Sequence, residues 1–158
     1  MKLSATAQRV QDALDAAGVT TRIVEYDVPA RTSAEAAMVL GCTVAQIAKS
    51  LVFRAQSGSA ILVIASGANR VDEKKIAALA GEAIGKADAA FVREVTGYAI
   101  GGIPPLAHAQ RLRTYIDRNL LSYDTVYAAG GTPHAMFPIA PADLVRVAGG
   151  EVADTTPT

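Results

Sequence analysis

Ser50-Leu51-Val52-Phe53-Arg54-Ala55 and Ala60-Ile61-Leu62-Val63-Ile64-Ala65 flank the polar stretch Gln56-Ser57-Gly58-Ser59. Two runs of strand-forming residues around a short glycine-containing turn read as a β-hairpin. The second run is apolar throughout, so both of its faces must meet apolar neighbours and it belongs in the middle of a sheet. A sheet begun by a hairpin, with further strands in the second half, points to an α+β fold rather than to regular βαβ repeats.

Working back from the hairpin, Thr43-Val44-Ala45-Gln46 has helix-capping spacing. It predicts a short helix that carries Ile47 and delivers Lys49 to the mouth of the first hairpin strand. Thr32-Ser33-Ala34-Glu35 repeats the pattern ahead of an alanine-rich run to Leu40, with Gly41 as a stop. Thr21 to Tyr26 alternates polar and apolar residues and ends at Asp27-Val28-Pro29, as a strand does. Ser4 to Ala17 places Ala7, Val10, Leu14 and Ala17 at helical spacing before Gly18.

Working forward, Asp72 caps a helix through Ile76 and Leu79 to Gly81, and Asp88 caps another toward Val95. Gly97-Tyr98-Ala99-Ile100-Gly101-Gly102-Ile103-Pro104-Pro105 follows, with three glycines and two prolines in nine residues. Glycine allows close backbone approach and proline fixes φ, so this is a rigid, shaped loop that can present main-chain N–H groups. Arg113–Asp117 and Thr125–Ala129 read as strands around a polar connection, Gly130-Gly131 turns the chain, and His134 to Ile139 forms a last strand. Pro141 suits the first position of a closing helix through Leu144 to Val147. The expectation is one domain over residues 1–158, with a mixed, largely antiparallel sheet surrounded by helices and the glycine loop at one end.

Composition narrows the function. No apolar run approaches the ~18 residues of a membrane span, and the first residues lack a signal-peptide core, so a soluble cytoplasmic protein is expected. Fifteen basic and fifteen acidic side chains leave a formal net charge of zero. That argues against wrapping a nucleic-acid duplex and gives no reason to expect DNA as a partner. Cys42 is the only cysteine. His108 and His134 stand far apart without ligand spacing, so neither a metal nor another cofactor is expected. There is no Gly-x-Ser-x-Gly elbow and no His-Glu-x-x-His, and Gly81 to Lys86 is one residue short of a phosphate loop, with Ala87 in place of the metal-binding hydroxyl. What remains is a glycine-proline loop, a lysine at a strand mouth and scattered acids. Hydrolysis of an activated ester needs little more: main-chain donors for an oxyanion, a positioned water, and a cation for a nearby phosphate or hydroxyl.

Gln46-Ile47-Ala48-Lys49-Ser50-Leu51-Val52-Phe53, then Gly97 with Gly101-Gly102-Ile103-Pro104-Pro105, then Tyr115-Ile116-Asp117 and Tyr127-Ala128-Ala129-Gly130-Gly131, resemble in order and spacing the YbaK family of freestanding aminoacyl-tRNA deacylases. That family is related to the editing insertion of bacterial prolyl-tRNA synthetases. The resemblance runs from about Ala13 to Val147. It implies an α+β fold with a mixed sheet and hydrolysis, in trans, of mischarged tRNA, typically proline tRNA carrying a smaller amino acid such as alanine, cysteine or serine. It implies catalytic positions at Lys49, near the terminal adenosine, and at Gly101 and Gly102. Substrate-binding positions are implied at Tyr26, Gly97, Ile103, Pro104, Asp117, Ala129 and Gly130. A prolyl-tRNA synthetase is the implied protein partner. Ala129 stands where cysteine-directed members tend to carry serine, and Ala107 where relatives often have glycine. Two other readings stay open on the residues alone: a binding module that senses an aminoacyl end, nucleotide or metabolite without hydrolysis, and an unrelated hydrolase using Cys42.

Overall fold

The structure, a computed structural model, describes residues 2–157. The chain runs α1 (Ala5–Ala16), β1 (Val24–Glu25), α2 (Ser33–Leu40), a 3-10 turn (Val44–Gln46), β2 (Ile47–Ala55), β3 (Ala60–Ser66), α3 (Glu73–Ala80), β4 (Ile84–Lys86), α4 (Ala89–Thr96), β5 (Arg113–Asp117), a second 3-10 turn (Arg118–Ser122), β6 (Val126–Ala129), β7 (Ala135–Ile139), α5 (Pro141–Ala148) and β8 (Glu151–Ala153). The expected α+β fold with a mixed sheet is the one formed. Strand order is β1-β7-β6-β2-β3-β5-β8, with β4 also pairing to β2. The β1–β7, β2–β3, β2–β4 and β6–β7 pairs are antiparallel, while β2–β6, β3–β5 and β5–β8 are parallel.

The hairpin sits at the centre, and β3 is buried at every residue. One face of the sheet packs Leu62, Ile64 and Ile116 against Ala7, Val10 and Leu14 of α1, Val92 of α4 and Leu144 of α5. The other face packs Phe53, Ile61, Val63 and Tyr115 against Ile76 and Ala80 of α3. That two-sided burial is the reason β3 is apolar without alternation.

Local chemistry sets the helix ends. The Ser4, Thr32, Asp72 and Asp88 side chains accept from first-turn N–H groups, and Gly41, Gly81, Gly97 and Gly149 close α2, α3, α4 and α5 in left-handed conformation. Three sequence expectations change. The capping box at Thr43 forms, but the helix it begins is one 3-10 turn, and Ile47 opens β2 instead of ending the helix. Lys49 therefore lies inside β2, three residues along, because Ile47 and Ala48 pair with Tyr127 and Ala128 of β6. The strand expected from Thr21 contracts to Val24–Glu25, because Thr21 and Ile23 are taken up by side-chain bonds to Pro138 and Gln11.

Candidate active site

A cleft of about 300 Å³ opens where the β2 edge, the α2 N-terminal turn and the glycine loop converge. Ala30, Ala36, Ile47, Ile103, Ala129 and Met136 give it an apolar wall, and Thr32, Ser33, Lys49 and Ser50 its polar groups, with Arg31 and Ile100 also lining it. The cleft exists because β2 loses its neighbour. β6 pairs with β2 at Ile47 and Ala48 and β4 at Phe53 to Ala55, and Lys49, Ser50 and Leu51 of the interval line the cleft together with Gly101 and Ile103 of the glycine loop.

Lys49 is placed by strand alternation on the α3 side, beside Leu51 and Phe53. Its Nζ donates to the main-chain oxygen of Asn69 at 2.8 Å. Partial burial holds its pKa below the usual lysine range, opposed by the negative charge of Asp117. Asp117 is fully buried at the end of β5. One carboxylate oxygen accepts from Ser66 N–H at 3.0 Å and from Asn69 Nδ2 at 2.9 Å, and the other from Asn119 N–H at 2.9 Å. Asp117 thus stands behind the cleft and holds the residue that holds Lys49.

The glycine loop is fastened from below. Tyr98, fully buried, donates from its hydroxyl to Ala107 O at 2.9 Å, with the Arg9 guanidinium 5.0 Å over its ring. The His108 ring donates from Nε2 to Pro104 O at 2.6 Å, and burial pushes its pKa down, against the opposing effect of that bond. Gly102 approaches the 131–132 turn so closely that a Cβ there would lie 2.6 Å from Thr132 Cα. Its N–H is committed to Ala99 O at 3.0 Å. Among the described residues, the Gly101 and Ile103 N–H groups have no intramolecular acceptor, and both residues line the cleft. The loop's available donors are therefore those on either side of Gly102.

Of the residues singled out in the sequence, Lys49, Gly101, Ile103 and Ala129 come together around the cleft. The others support it. Gly97 caps α4, and Pro104 is the buried acceptor of His108. Gly130 packs against Ile23 and Ala135, where a Cβ would meet Ile23 Cγ2 at 3.0 Å. Tyr26 packs with Ala30, Ala36, Ile47 and Met136, and its carbonyl meets His134 Nδ1 at 2.9 Å. Cys42 joins the same cluster without lining the cleft, and burial raises its thiol pKa, which disfavours the thiolate a nucleophile needs. Sequence reasoning passed over Asn69, Ser50, Met136 and the segment Ala30 to Ser33. The capping signal at Thr32 and Ser33 was visible, but nothing local said that this helix start faces Lys49.

Among the described residues, no group of three or more His, Cys, Asp or Glu is arranged to hold a metal ion, and no helix is long and apolar enough to cross a membrane.

Residues 27–147 match the aminoacyl-tRNA editing domain family. The crystal structure of a candidate trans-editing enzyme for prolyl tRNA synthetase is similar at 44% identity and TM-score 0.93, over 99% of this chain and 100% of that one. The crystal structure of hypothetical protein APE2540 is 36% identical with TM-score 0.87, over 93% of this chain and 98% of that one. Uncharacterized protein YwhH of Bacillus subtilis (strain 168) is 31% identical over 122 residues, 77% of this chain and 78% of the relative. With the sheet, the cleft and these likenesses in agreement, the chain belongs to the aminoacyl-tRNA editing domain family.

Proposed function

We propose that this protein hydrolyses, in trans and without a metal ion, the ester of tRNA(Pro) mischarged with a small non-cognate amino acid such as alanine, cysteine or serine. The observation that carries the reading is the small, largely apolar cleft with one ammonium group, Lys49, and free main-chain donors at Gly101 and Ile103 on its wall. A synthetase cannot strongly reject a smaller side chain by binding alone, so a second, size-limited site is needed to remove it. The likeness to a candidate trans-editing enzyme for prolyl tRNA synthetase supports proline tRNA as the carrier and a prolyl-tRNA synthetase as the partner.

In this reading the side chain of the misplaced amino acid enters the wall formed by Ala36, Ile47, Ala129 and Met136. Lys49 uses N–H groups left after its bond to Asn69 to hold a phosphate or ribose oxygen of the terminal adenosine. Water attacks the ester carbonyl, the bond from that carbon to the ribose oxygen then breaks, and the ribose oxygen leaves as a hydroxyl with a proton that came from the water, freeing the amino acid. The negative charge that develops on the carbonyl oxygen is met by the Gly101 and Ile103 N–H groups, which among the described residues have no acceptor of their own.

The test is to charge tRNA(Pro) separately with alanine, cysteine, serine, 2-aminobutyrate and proline and follow deacylation with and without EDTA. Rapid loss of one or more small esters, survival of prolyl-tRNA and indifference to EDTA are expected. Survival of every ester in the presence of folded protein contradicts the proposal.

A further inference from the structure

One glycine outside the cleft governs how closely α2 approaches the sheet. Gly67 follows Ser66, the last residue of β3, and its N–H donates to Ile47 O at 2.7 Å, so it sits beside the residue that opens β2. Its φ lies outside the left-handed region, so the backbone conformation does not call for glycine here. Space does: a Cβ would stand 2.5 Å from Val44 O, 2.7 Å from Ser33 Cβ and 2.8 Å from Ser33 Oγ. Ser33 is the first residue of α2, and Ala36, three residues on, shares its helix face. Both line the cleft, and Ala36 packs with Ile47 and Met136. The end of β3 is itself firmly held, since Ser66 Oγ donates to Ala45 O at 2.7 Å and Ser66 N–H to the buried Asp117 at 3.0 Å. Bulk added at position 67 therefore has to be taken up by α2 and the 3-10 turn.

We propose that Gly67, although it does not line the cleft, is a specificity-determining residue: by letting the first turn of α2 close onto the end of β3, it sets the spacing between Ala36 and Ile47 and so the largest side chain the cleft accepts. The proposal rests on the reading of the cleft as a size-limited site for aminoacyl esters. Ser33 and Ala36 move together on one helix face, and Gly67 is bonded to Ile47, so a retreat of Ser33 from position 67 carries Ala36 away from Ile47. The apolar wall then opens. One methylene in an apolar pocket changes discrimination by about 10–200-fold, so a wall displaced by a fraction of an ångström blurs alanine against larger side chains. The donors at Gly101 and Ile103 belong to a different element, the glycine loop, so the ester that reaches them is still hydrolysed.

The test is Gly67→Ala, with kcat/KM measured for alanyl-, 2-aminobutyryl- and prolyl-tRNA(Pro) beside wild type. The two larger esters are expected to gain about tenfold or more relative to the alanyl ester. The ratio is the readout, because a merely structural defect lowers all three rates alike. Gly85→Ala, at a position where a Cβ meets nothing within 4 Å, is expected to leave the ratios as they are, and a like shift there overturns the assignment to Gly67. Gly67→Ala combined with Ser33→Gly keeps only the Val44 contact and is expected to fall between Gly67→Ala and wild type. Unaltered ratios in folded Gly67→Ala overturn this proposal alone; if that variant does not fold, the double variant is read in its place by the same criterion. Failure of wild type to hydrolyse any of the three esters overturns the size-limited reading and this proposal with it.

Discussion

The Nζ of Lys49 donates a 2.8 Å hydrogen bond to the main-chain oxygen of Asn69. Asn69 is in turn held by its side chain on Asp117, so a fully buried carboxylate fixes a cleft lysine through an intermediary rather than by direct ion pairing. The arrangement leaves the ammonium with hydrogen-bonding capacity for a ligand while keeping a counter-charge nearby. Asp117→Asn is expected to lower the Lys49 pKa further, since the removed charge is the influence that raises it against burial. A 13C titration of the lysine side chains reads this directly. The ammonium persists below the folded pKa, so any activity that needs it declines as pH rises through that value, and the decline moves to lower pH in the variant. The same substitution costs about 2 kcal/mol, because an amide cannot accept from all the donors the carboxylate meets.

Gly102 separates the two backbones it joins by the absence of a side chain. A Cβ would stand 2.6 Å from Thr132 Cα and 2.9 Å from Gly131 O, and neither main-chain atom can swing away. Gly102→Ala is expected to cost about 3 kcal/mol of unfolding free energy and to displace the loop donors, lowering activity more than Gly58→Ala in the hairpin turn does. Urea melts and deacylation rates on the same preparations check both parts.

Ala107 adopts φ 65° without being glycine. Its carbonyl takes the Tyr98 hydroxyl, which helps keep the chain in this conformation. Ala107→Gly relieves left-handed strain of about 1 kcal/mol, so a melting temperature higher by a few degrees is expected. An unchanged or lower value contradicts the assignment of strain to this residue.

Asp154 ties the C-terminal segment to α3. Lys75 Nζ donates to it at 2.6 Å and Thr156 N–H at 3.2 Å, and these donors hold its carboxyl down to about 2. A carboxylate depressed in the folded state contributes stability above the ordinary aspartate range and loses it as pH falls toward the folded value. Asp154→Asn is therefore expected to be less stable than wild type at pH 6 and to converge with it near pH 2, as followed by chemical denaturation at each pH.

Much of this architecture was legible because it rests on local rules. The Ser4, Thr32, Asp72 and Asp88 caps, the glycine stops and the apolar β3 each announce themselves within a few residues. β4 and β8 did not, since three-residue strands have too little alternation to read and owe their existence to the strands beside them. The site divides the same way. Lys49 and the glycine loop have local signatures, whereas Asn69 and Met136 matter only because β3, β5 and β7 bring them near β2. The gap at Ser50 is a property of pairing register, which no single stretch of sequence displays.

The role of Lys49 is read in the single-turnover hydrolysis of alanyl-tRNA(Pro), whose side chain is small and apolar, by wild type and Lys49→Ala at equal concentration, after correction for spontaneous loss. Rapid hydrolysis by wild type is expected, with a rate at least about a hundredfold lower in a folded variant, the scale of misplacing a reacting ester by about an ångström when the group that anchors it is lost. Equal rates for the two proteins would contradict that role.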